Sequence, residues 1–129
     1  MNTLNHQTTL AFVRRTLAAD FACAEACFSQ AGVFLTEAKE MPGRRRFPFR
    51  AKSFNMMTMG ASVVITCSAD RLAWAQTQLS YLDRNTLFSI ATFARLTALV
   101  ASDDQFMAGP DPKFICAGDT FRPAPTPVD

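Results

Sequence analysis

Histidine occurs once in this chain of 129 residues, as His6, and glycine only five times. A serine or cysteine nucleophile with a histidine base would have to recruit His6 from a frayed N-terminus, so a surface histidine is the plainer reading. Five glycines leave no G-x-x-x-x-G-K-[ST] and no G-x-G-x-x-G, which excludes the glycine-rich phosphate cradles that such spacings build. No apolar run approaches the roughly 18 residues a bilayer span needs. The first residues lack the charged, apolar and small-residue zones of a secretory signal. The expected location is therefore the cytoplasm, with the cysteines at 23, 27, 67 and 116 as free thiols.

What is present is apolar: 49% hydrophobic and 19% charged residues, with twelve phenylalanines against one tryptophan and one tyrosine. A chain of this size buries about two-thirds of its unfolded surface, enough for one Phe-rich core without staples. The net charge of +2 hides an asymmetry. Between Lys39 and Lys52 stand six cations (Lys39, Arg44, Arg45, Arg46, Arg50, Lys52) and one acid, Glu40, a local sum of +5 that leaves −3 for the rest. One basic patch on a mildly acidic body argues against nucleic acid as a partner, since coating proteins carry basic residues over a whole face.

Leu10, Val13, Leu17 and Phe21 recur at helical spacing and predict a first amphipathic helix. Asp20 reads as the N-cap of a second, "FACAEACF". "VFLTEAK" is a strand candidate after Gly32. Two apolar runs, Phe54–Met59 and Ser62–Cys67, flank Gly60-Ala61 and predict a hairpin. The run Val63-Val64-Ile65 is too continuously apolar for an exposed edge, so both faces of that strand should be covered. Ser68 is placed to cap a helix with Leu72, Ala75 or Gln76, and Leu79 inward. "NTLFSIATFARLTALVAS" predicts one long helix capped by Asn85, with Leu87, Ile90, Phe93 or Ala94, Thr97 and Val100 on its buried face. "KFICA" is a candidate last strand. The sum is an α+β domain over residues 1–118, its helices packed on a small, mainly antiparallel sheet. Residues 119–129, with three prolines in "FRPAPTPVD", read as a tail or linker.

Asp103 and Asp104 are adjacent before a Gly-Pro break and read as a solvated helix end rather than a catalytic pair. Cys23 and Cys27 stand four apart, as if stacked on one helix face, and would supply half a zinc site; the other two cysteines lie 49 residues apart with no knuckle spacing, so no metal is expected. Met56, Met57 and Met59 read as core filler. The segment "EMPGRRRFPFRAK" is different. Arginine forks suit carboxylate or phosphate, and flanking prolines reduce the entropy lost on binding. Arg44, Arg45, Arg46 and Arg50 are therefore the candidate binding residues, for an acidic or phosphorylated partner. In an extended segment Arg44 and Arg46 face one side and Arg45 the other, so the three do not serve one ligand together.

The stretch "VFLTEAKEMPGRRRFPFRAKSFNMMTMGASVVITCSADRLAWA" resembles the N-terminal region of a bacterial group of GNAT-superfamily N-acetyltransferases, where a strand leads into "PGRRxFP", then "TMGxxVVIxCSxxxLxW" and a helix. The matching residues are Pro42, Gly43, Arg44, Arg45, Phe47, Pro48, Thr58, Gly60, Val63, Val64, Ser68, Leu72 and Trp74. In that group acetyl-CoA is held by a C-terminal domain through a Q/R-x-x-G-x-G/A loop, which this sequence lacks. The resemblance thus implies an N-terminal accessory domain with no cofactor of its own and no acetyltransferase activity alone. Its expected partner is a C-terminal acetyltransferase domain, and its expected role is on the acceptor-substrate side or in a homodimer. The alternative is a free-standing module whose arginine loop grips an acidic partner.

Overall fold

A computed structural model describes residues 2–44, 49–113 and 125. Helix α1 (Asn2–Asp20) leads through a 3-10 turn (Glu25–Phe28) into strand β1 (Gly32–Glu37). A loop connects β1 to β2 (Phe54–Met59) and β3 (Ser62–Cys67), and helices α2 (Ala69–Leu79), α3 (Arg84–Leu87) and α4 (Ile90–Ala101) follow. The fold is α+β, with helices on both faces of a three-stranded sheet.

The sheet order is β1-β3-β2. β2 and β3 form the expected antiparallel hairpin, Met59 opposite Ser62. Gly60 takes φ +61°, the left-handed conformation that a two-residue hairpin asks of its first turn residue. β1, however, lies parallel to β3, Val33 opposite Val63 and Leu35 opposite Ile65. The sheet is therefore mixed rather than mainly antiparallel, because the hairpin turns β3 back into the direction of β1 and places it in the centre. Every residue of β3 is buried, as its apolar run required.

Strand alternation then divides the core in two. Val63, Ile65 and Cys67 pack with Ala75, Leu79, Leu87, Leu96 and Val100 of the helices on one face. Val64 points the other way, against Leu17, Phe21 and Phe28. Met56 joins the first cluster, Met57 and Met59 the second, so the methionines do fill core gaps.

Two helical expectations are corrected. Asp20 ends α1 instead of starting a second helix. Ala22 takes a left-handed φ of +50°, and the Cys23 N–H donates to Ala18 O at 3.0 Å, a Schellman-type closure made without glycine. Cys23 and Cys27 therefore do not share a helix face. The long helix over 85–102 is also broken. Asp83 caps α3 by accepting from Thr86 N at 2.7 Å, and Ser89 caps α4 by accepting from Thr92 N. These local caps outcompete a continuous ladder and reset the helical phase, so Thr92, Leu96 and Val100 are buried while Ile90 is 89% exposed. The "KFICA" strand and the proline-rich tail lie outside the described residues, Lys113 and Pro125 apart.

Candidate functional site

A cleft opens at the start of β2. One lobe, of about 330 Å³, runs between the end of α1 (Leu17, Phe21) and the helices opposite (Leu87, Phe93, Leu96), with Met56 of β2 between them. A second lobe, of about 620 Å³, continues past Phe54 toward Arg71 and Gln105. Asp20, Arg44, Phe54, Asn55, Met107 and Ala108 belong to both, so the two lobes form one cleft. Their volumes lie in the range of small-molecule sites.

The charge around the larger lobe is uneven. Lys39, Arg44, Arg50, Lys52 and Arg71 line it against two carboxylates, Asp20 and Asp104. Of the four candidate arginines, the structure thus brings Arg44 and Arg50 to the cleft. Arg45 and Arg46 lie outside the described residues. Arg44 also sits with its guanidinium 5.8 Å from the centre of the Phe49 ring, a cation–π geometry that holds its stem over the loop. Arg50 and Lys39 reach the same lobe from the loop and from the end of β1.

The residue that sequence reasoning missed is Arg71. It is only 2% exposed, in the first turn of α2. Its Nη2 donates to Asp103 Oδ2 at 2.8 Å and to Gln105 Oε1 at 2.6 Å. Gln105 in turn donates from Nε2 to Lys52 O at 3.0 Å, and Lys52 Nζ lies 4.0 Å from Asp103. Lys52 also pairs with Asp70. The ring so formed ties the loop before β2, the start of α2 and the segment after α4 together. A sequence signal existed. Arg71 stands four residues before Ala75 and eight before Leu79, at the head of the buried stripe of α2, a place the apolar pattern assigns to Leu72.

Lys52 and Ser68 hold the Asp70 carboxyl below its ordinary value, and hydrogen bonding to Asp70 raises Lys52. What this pair adds to stability is present above the unfolded carboxylate value and fades as pH falls through the lower folded one. On the alkaline side it is present below the unfolded lysine value and fades as pH rises through the higher folded one. Both side chains are well exposed, so the contribution is small and screened by salt.

Two of the cysteines, Cys23 and Cys67, are poor nucleophiles. Cys67 is fully buried, and that burial pushes its thiol up to about 11. Cys23 is pushed to about 12, first by burial and then by the neighbouring Cys27. Thiols so raised are protonated at neutral pH. In the native protein Cys67 is expected to resist iodoacetamide until urea unfolds the chain; mass spectrometry showing rapid native alkylation at Cys67 would contradict this. Among the described residues, no group of three or more histidine, cysteine or acidic side chains is placed to hold a metal ion.

Compared with known proteins, the chain matches no family model, no curated sequence and no solved structure. Among the described residues no helix is long and apolar enough to cross a membrane.

Proposed function

We propose that this chain is a binding domain that takes an acidic ligand in the cleft beside β2, and that it serves as the acceptor-side accessory domain of a GNAT-like acetyltransferase. The observation that carries the reading is the lining of the larger lobe, where Lys39, Arg44 and Arg50 stand beside the ion-paired Lys52 and Arg71 and face two carboxylates, Asp20 and Asp104. The loop that resembles the acetyltransferase group supplies Arg44 and Arg50 to that lining, which supports placing its role on the acceptor side. A free-standing module for an acidic partner would use the same surface, and cofactor binding separates the two settings from a self-sufficient enzyme.

Fluorescence anisotropy with a labelled oligoglutamate peptide tests the cleft. Binding is expected to weaken steeply with salt and to fall about tenfold in a Lys39→Ala/Arg44→Ala/Arg50→Ala variant that keeps its circular dichroism. Binding that ignores both salt and the triple variant would reject the acidic-ligand reading. Calorimetry with acetyl-CoA is expected to give no binding heat. Micromolar affinity of this chain alone would reject the accessory-domain reading.

A further inference from the structure

The wall of the larger lobe contains a guanidinium whose bonding capacity is only partly used. Arg71 donates through Nη2, while its Nε and Nη1 are buried and meet no acceptor among the described residues. Guanidinium has donors on all three nitrogens, and burying two of those nitrogens without acceptors is a standing cost to the fold. Two hydroxyls in the same lobe, Ser53 Oγ and Thr66 Oγ1, are likewise buried without a partner among the described residues.

Gln105 sits where an anion would. Its neutral amide oxygen lies 2.6 Å from the Arg71 Nη2, and its Nε2 is parked on the Lys52 carbonyl. It belongs to the irregular segment after α4, next to Asp104, whose φ of +57° is left-handed for a residue other than glycine. Two hydrogen bonds hold the Gln105 side chain against Arg71 and the Lys52 carbonyl. Part of the surrounding wall is apolar, formed by Phe54, Val100, Phe106 and Met107. Lys52 and Arg71 face Asp70 and Asp103 within the ring, and Lys39, Arg44, Arg50, Asp20 and Asp104 also line the lobe.

We propose that the larger lobe binds a small molecule with an oxyanion head, carboxylate or phosphate, on an apolar body, the head displacing the Gln105 side chain and binding the Arg71 guanidinium. A carboxylate or phosphate offers a full charge and several lone pairs where the amide offers one neutral oxygen, so it satisfies donors that Gln105 leaves unmet. The inference deepens the acidic-ligand reading and rests on it, but the head preference depends on Arg71 and Gln105 alone, while the rim sets the salt dependence.

The test is arginine-side-chain NMR on the full chain. The Arg71 Nε–H signal is assigned by its loss in Arg71→Lys and followed during titration with 3-phenylpropionate, inorganic phosphate and the neutral 3-phenylpropionamide. Phenylpropionate is expected to shift it saturably and the amide to leave it unmoved. A stronger response to phosphate keeps the site and identifies the head as phosphate. Removing the competing side chain in Gln105→Ala should tighten binding several-fold, because a larger share of the protein is then open. Gln105→Glu should abolish binding by filling the site from within. An equal response to the amide, no saturable shift with either anion, or weaker binding by Gln105→Ala would overturn the proposal. An Arg71 response that survives in the Lys39→Ala/Arg44→Ala/Arg50→Ala variant, with oligoglutamate binding unaffected by that variant, rejects the acidic-rim reading alone. The reverse pattern rejects this one alone.

Discussion

Arg71→Ala is expected to lower the free energy of unfolding by about 3 kcal/mol, seen as a lower urea midpoint with an unchanged slope. The substitution removes a side chain that is 3% exposed and leaves Asp103 and Gln105 without their donor. Asp103 is 30% exposed, so water rehydrates it in part, which keeps the loss at the low end for a broken buried pair. Arg71→Lys is not expected to restore stability, since one ammonium does not reproduce the planar set of donors that meets Asp103 and Gln105 together. Arg71→Met is informative for a different reason. The unbranched methionine chain fills the space and leaves no buried N–H unsatisfied, so part of the loss should be recovered, although Asp103 and Gln105 still lack their donor. An Arg71→Met variant clearly more stable than Arg71→Ala, together with loss of phenylpropionate binding measured by calorimetry, would mean that the guanidinium serves ligand binding. A loss in Arg71→Ala below about 1 kcal/mol would mean that the ring through Asp103 and Gln105 does not hold the α2 and α4 ends together.

Phe28→Ala is expected to cost more, about 4 kcal/mol. Phe28 is fully buried in the 3-10 turn and meets Phe21 edge-on, ring centres 5.6 Å apart at 83°. With Leu17, Phe21 and Val64 it forms the buried core on that face of the sheet. A cavity there has little to collapse onto it, because Val64 is fixed in the central strand. The effect also reaches the cleft, whose wall includes Leu17, Asp20 and Phe21 from the end of α1. Urea unfolding followed by circular dichroism measures the loss. A value near 1 kcal/mol would mean that α1 is docked by something other than this aromatic pair.

The hairpin was legible to the residue because its signals are local: two apolar runs separated by Gly60-Ala61, with the glycine at the position that needs a positive φ. Full burial of β3 was legible in the same way, from three consecutive branched residues. The absence of an α-helix directly after α1 was hidden because Ala22, an ordinary helix former, takes a left-handed conformation that sequence assigns to glycine. The break at Ser89 was hidden because serine caps compete with helix continuation on nearly equal terms, and only the packing of Leu96 and Val100 selects the new phase. For the site, the arginine loop was visible as charge, and two of its four candidates, Arg44 and Arg50, reach the cleft. The buried guanidinium was passed over because an arginine beside Leu72 and Trp74 looks like a surface residue until its partners are known.

The chain's own residues determined the α+β class, the hairpin and the basic character of one loop, since propensity, alternation and charge act over a few neighbouring positions. The parallel pairing of β1 with β3 was decided only in three dimensions, as was the meeting of Lys52, Arg71, Asp103 and Gln105 around one cleft. The hydrogen bonds that join these groups span 32 to 53 residues of chain, and no local preference reports which of them will share a buried charge.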